Sequence, residues 1–133
     1  MLTLADVRDY IAGLGITKDD NVYCGKLDAK KDKSIGVYHL KRSGQPNIAI
    51  GGIDNTSFGD KGISLLIHWN KSPRETEKVS MDLYEALLRL KMVTINKSII
   101  KFVRVLVPEP VDVGTDDNGV YEMVIECEFY YER

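Results

Sequence analysis

Two histidines, His39 and His68, and two cysteines, Cys24 and Cys127, are the side chains here best suited to hold a transition metal or move a proton near neutral pH. No two of the four stand at zinc-ligand spacing, so their types suit a zinc site and their order does not. A serine hydrolase needs its nucleophile on a sharp elbow, and no Gly-x-Ser-x-Gly occurs. Gly59-Asp60-Lys61 lacks the Gly-Lys-Ser/Thr ending and the upstream glycine of a phosphate loop. Gly51-Gly52 reads as a bulge or turn at a strand end. If Gly119 were the central glycine of a calcium loop, Gly114 and Ile125 would have to supply its first and last ligands, and neither has a side chain able to do so. Glu126 and Glu128 fall on one strand face and repel unless a basic residue lies opposite, in this chain or in a neighbouring copy. His68 beside Trp69 reads as one packed and one exposed position. These residues call for no enzyme, cofactor or metal. The alternative is a small ligand-binding or enzymatic domain with a pocket beside His39, His68 and Trp69.

The elements that position these residues belong to a chain of 133 residues, the size of one domain. With 44% hydrophobic and 29% charged residues, it can build an ordinary core without metal or disulfide staples. Eighteen Lys and Arg against twenty Asp and Glu give a net charge of −2, which excludes polyanion binding driven by total charge. The start, Met1-Leu2-Thr3-Leu4-Ala5-Asp6, lacks the basic segment and long apolar run of a signal peptide, and the longest apolar runs are too short to span a bilayer. The expectation is a chain made and used in a reducing cytoplasm, or in a particle assembled there, with Cys24 and Cys127 as two buried thiols and a disulfide between them as the alternative.

Thr3 and Asp6 open a first helix, Leu4, Val7, Ile11 and Leu14 recur at helical spacing, and Gly13 and Gly15 stop it. A short strand is expected over 21–27. The charged run 28–33, with Lys30, Lys31 and Lys33 among aspartates, reads as a solvated hairpin tip and a candidate partner or nucleic-acid contact. Residues 35–42 resume β character, Ser43-Gly44-Gln45-Pro46 is a turn, and 47–53 form another strand. The following stretch reads as a loop throughout and offers Asp54, Asn55, Thr56, Ser57, Phe58, Asp60 and Lys61 to a partner. From Gly62 a strand alternates, with Ile63, Leu65, Ile67 and Trp69 on one face and Ser64, Leu66, His68 and Asn70 on the other.

Ser72-Pro73-Arg74-Glu75 is a capping box with proline at the first helical position. The helix beyond it runs to about Leu90 or Lys91, with a stripe of Val79, Leu83, Ala86, Leu87 and Leu90, and with Lys78–Asp82 and Glu85–Arg89 as i,i+4 pairs on its polar side. A strand over 99–107 is broken by Pro108 and Pro110. Residues 112–119 form a polar loop or hairpin tip that presents Asp112, Asp116 and Asp117, with Asn118-Gly119 suited to a tight turn. The last strand alternates most cleanly: Tyr121, Met123, Ile125, Cys127, Phe129 and Tyr131 share one face, and Glu122, Glu126, Glu128 and Glu132 the other. The whole reads as a single α+β domain over 1–133, a mostly antiparallel, mixed sheet with an N-terminal helix and one main helix on one face.

Residues 47–133 resemble the small tail-terminator, or tail-completion, proteins of long-tailed bacteriophages, a family often labelled phage minor capsid protein. The likeness lies in Asn47-Ile48-Ala49-Ile50-Gly51-Gly52, Gly62-Ile63-Ser64-Leu65-Leu66-Ile67-His68-Trp69-Asn70 and the helix from Ser72-Pro73-Arg74-Glu75-Thr76-Glu77 to Tyr84-Glu85-Ala86-Leu87. Pro110-Val111-Asp112-Val113-Gly114-Thr115-Asp116 and the closing Tyr130-Tyr131-Glu132-Arg133 extend it. The resemblance implies a non-enzymatic virion protein that caps the tail tube as a homohexameric ring, ends polymerisation and offers the head a docking surface. Its implied partners are copies of itself, the tail-tube protein, a head-completion protein and DNA passing through the lumen without sequence-specific contact, with no membrane. Residues such as Asp116, Asp117 and the terminal glutamates would repel that DNA. A head-completion or head–tail joining protein is the nearest alternative role.

Overall fold

The computed structural model describes residues 1–41, 51–52 and 57–132. Helix α1 (Leu4–Gly13) starts at a full capping box: the Thr3 hydroxyl accepts from the Asp6 amide at 3.1 Å and the Asp6 carboxylate from the Thr3 amide at 3.0 Å. Strands β1 (Val22–Cys24), β2 (Ser34–His39) and β3 (Phe58–His68) follow, then helix α2 (Pro73–Arg89) and strands β4 (Lys91–Ile95), β5 (Ser98–Val105), β6 (Val111–Thr115) and β7 (Tyr121–Glu132). The sheet runs β1-β2-β3-β7-β5-β4, with β6 also on β7. Only β1–β2 is parallel among the pairs described, so this is an α+β fold on a mixed, mostly antiparallel sheet.

The long pair β3–β7 is the spine, in unbroken register from Phe58↔Glu132 to His68↔Glu122. One face of the sheet carries Ile35, Val37, Ile63, Leu65, Ile67, Ile125, Cys127 and Phe129, all buried. Val7 and Ile11 of α1 and Leu83, Tyr84 and Leu87 of α2 belong to the same buried cluster. Each wholly buried Leu, Ile or Phe stabilises the fold by about 1.5–3 kcal/mol, so this face dominates. β5 and β6 run successively along the other edge of β7, interrupted around Pro108 and Pro110, where no proline amide can join the ladder. The Tyr84 hydroxyl donates to the Val107 carbonyl at 2.7 Å beside this break.

Several sequence expectations are corrected. The run 28–33 is not a hairpin tip, because β1 and β2 are parallel; with β1 only three residues long, the chain has little distance to return. Phe58, Gly59, Asp60 and Lys61 open β3 rather than closing a loop, since β7 is long enough to pair with them. Gly59 leaves room for the Tyr131 ring, whose nearest atoms would lie 2.5 Å from any Cβ there. Asp112 to Thr115 are strand β6, and the turn is confined to the residues after it. β4 was not expected; it follows α2 directly and meets β5 through Asn96 and Lys97, both at positive φ. Glu75 does not complete a capping box: its carboxylate accepts from the Asn70 side-chain Nδ2, while the Ser72 hydroxyl accepts from the Glu75 backbone amide. Cys24 is exposed, and Cys127 alone is the buried thiol, pushed up to about 12 by burial and then by Glu128 and Glu126. His68 and Trp69 are both buried. The Ser43-to-Pro46 turn and the 47–53 strand, apart from Gly51 and Gly52, lie outside the described residues. No helix among the described residues is long and apolar enough to cross a membrane.

Candidate functional site

The candidate contact residues fall at two ends of the β3–β7 spine, roughly 30 Å apart for the ten steps from Phe58 to His68. At one end, the alternation of β3 puts His68 on the face opposite the main core, yet His68 has no solvent exposure. Its Nδ1 lies 3.0 Å from Glu122 Oε2 and 3.8 Å from Asp116 Oδ2, and its Nε2 lies 3.2 Å from the Ala29 carbonyl. Both ring nitrogens therefore face acceptors. A neutral imidazole has one N–H and meets one of them; the imidazolium meets both.

Asp116 is held from its own turn. Its Oδ1 accepts from the Asn118 amide at 2.9 Å and the Val120 amide at 3.0 Å, while Oδ2 is buried without a hydrogen-bond partner among the described residues. The Val120 amide, opposed by desolvation and helped by the Asn118 amide and the charges of His68 and Lys71, holds this carboxyl below the usual carboxylate value. Gly119, at φ +80°, closes the turn, as Asn118-Gly119 suggests.

The lysine run is anchored at the same end. The Lys33 amide donates to the Trp69 carbonyl at 2.6 Å, the Ser34 hydroxyl to the Lys31 carbonyl at 3.0 Å, and the Thr17 hydroxyl to the Lys33 carbonyl. Lys30, Lys31 and Lys33 themselves are exposed. Two segments read from sequence as separate loops, 28–33 and the Asp116 turn, thus meet through His68. Asp117 is exposed beside Asp116; Asp112, also exposed, accepts from the Gly114 amide at 2.8 Å inside the β6 bulge.

The other end is aromatic. Phe102 and Tyr130 stack with centroids 4.6 Å apart and planes 12° apart, and Phe58 lies 6.0 Å from Tyr130. With Lys101 these rings line an open cleft of about 190 Å³. A β-bulge between Ile100 and Phe102 shifts the register there, so that Phe102 meets Tyr130. Asp60 lies opposite Tyr130, and Lys61, opposite Phe129, takes the core-facing side. Ser57 is exposed; Asp54, Asn55 and Thr56 lie outside the described residues. Sequence reasoning passed over Phe102 and Tyr130. The available signal was Tyr130, an aromatic residue on the glutamate face of β7.

Glu128, buried on that face, has Arg104 of β5 opposite it, with Nη1 at 3.9 Å. The basic neighbour expected from the Glu126–Glu128 pair is thus supplied, for Glu128, within the same chain. His39, opposite Ile63, is exposed and stands away from His68, opposite Ser34. Among the described residues no group of three or more His, Cys, Asp or Glu side chains is placed to hold a metal ion. The arrangement has two chemically unlike ends, one charged and one aromatic, and a buried hydrogen-bonded joint at the first.

A family model described as bacteriophage tail terminator protein matches residues 10–133. Searches of curated proteins and of solved structures give no match.

Proposed function

Because the chain belongs to the bacteriophage tail terminator family, a family of phage tail structural proteins and so of virion components, we propose that it caps the completed tail tube as a homohexameric ring. In this role it ends polymerisation of the tail-tube protein, presents its opposite surface to a head-completion protein at the head-proximal end, and leaves a lumen through which DNA passes without sequence-specific contact. Catalysis is not part of the role. The match over residues 10–133 carries the reading. The two ends of the β3–β7 spine support it: a cap between two different partners needs two different faces, and here one carries the exposed Lys30, Lys31, Lys33 and Asp117 and the other the Phe102–Tyr130 stack.

Two experiments test the role. A phage lacking the gene should make over-long tails; tails of normal length left unattached to heads would instead assign a head–tail joining role. The purified chain should reach a native mass of about 90 kDa, six times its 15.0 kDa.

A further inference from the structure

A ring needs two unlike lateral surfaces that fit each other on neighbouring copies. Helix α2 carries one near each end. Toward its N-terminus, Glu77 and Met81 form a cleft of about 390 Å³ with Pro108, Val111, Asp112 and Met123. Glu109 adds a third carboxylate, and no lysine or arginine lines it among the described residues. Its apolar part is open, with Met81 36% and Val111 44% exposed. An acid-rimmed cleft with an adaptable methionine floor repels nucleic acid and suits a cationic head on an apolar stem.

At the other end of α2, eleven residues or about 17 Å from Glu77 to Leu88 along the helix, the chain presents that chemistry. Leu88 and Met92 are 47% and 63% exposed, and Arg89 and Lys91 beside them are exposed cations. Glu85, 3.6 Å from Arg89, is the near anion, and the Arg89 side chain remains 82% exposed. The lysine run 28–33 is a poorer match, since its lysines are diluted by Asp28 and Asp32 and the apolar Leu27, Ile35 and Trp69 beside it are buried.

We propose that the occupant of the cleft is a second copy of this chain: Leu88, Arg89, Lys91 and Met92 of one subunit enter the Glu77–Met81–Val111 cleft of the next, repeating around the ring. This rests on the ring reading above and names its lateral contact. Two exposed double variants of the full chain test it. Glu77→Lys with Glu109→Lys reverses the cleft and spares Asp112, whose carboxylate holds the β6 bulge. Arg89→Glu with Lys91→Glu reverses the projection. Each variant, with unchanged circular dichroism, should associate about a hundredfold or more weakly and run as a single chain. Mixed in equal amounts they should regain a six-chain mass, because each cleft then finds an opposite charge on the other variant. Rings that persist in either variant alone, or a mixture that stays monomeric, overturn the contact. So does a mixture that stops at two chains, the result of reciprocal docking, or a wild-type chain that remains single at every concentration. Tail length in the gene deletion judges the capping role independently of all these masses.

Discussion

The two ends of the β3–β7 spine are held by different physics. At the His68 end one buried ring joins β3, β7 and the lysine loop through polar contacts at its two nitrogens, with Asp116 close by. At the Phe58 end, stacked rings lie half in solvent, and their stabilisation comes from apolar contact. The first arrangement gathers segments distant in the chain around a single buried side chain. The second spreads its stabilisation over several surfaces and leaves apolar area available to a partner. A buried hydrogen-bonded joint fixes loops in place; an exposed aromatic face can be covered or uncovered with little change to the fold.

His68→Ala should have the largest effect. It removes a wholly buried side chain and with it the ring that both the Glu122 carboxylate and the Ala29 carbonyl face, a loss of about 2–4 kcal/mol readable by urea unfolding. A loss below half a kcal/mol would show that the joint carries no stability and would erase the contrast. Phe102→Ala should cost less, about 1–2 kcal/mol, because Phe102 is 46% exposed and loses mainly its stacking on Tyr130. That loss should be the same at pH 7 and pH 3; a strongly pH-dependent loss would mean that charge also governs this end.

The smallest effect separates the ends by pH. Asp116 has a folded pKa below its ordinary 3.8, so its stabilisation is present above that value and lost as pH falls toward the lower folded value. The unfolding temperature of the wild type should therefore drop in acid below pH 3.8, and Asp116→Asn should drop less steeply. Parallel curves for the two proteins would remove Asp116 from the acid response.

What was legible in the sequence tracks how local its cause is. α1, α2 and β7 were readable because their caps and periodicities lie within a dozen or so residues. β4 was hidden because it leaves α2 without an intervening breaker and turns through Asn96-Lys97, a pair that lacks the usual glycine. The first residues of β3 resembled a loop because their pairing partners, Phe129 to Glu132, stand at the far end of the chain. At the candidate site, the aspartates and lysines could be named as polar and surface-facing. Their meeting at His68 could not, since that ring binds residues 39 and 54 positions away.

The sequence by itself determined the balance of charge, the two helices with their starts, the apolar face of the long strands and the α+β class, because propensity, capping and alternation act over short spans. Only the tertiary structure decided that β1 runs parallel to β2, that β5 and β6 share an edge of β7, and that both His68 and Trp69 are buried. It also placed exposed lysines and Asp117 at one end of the β3–β7 pair and an aromatic surface at the other. Register and packing set these outcomes: a side chain's burial depends on which distant strand or loop covers it, and alternation along one strand says only which residues share a face.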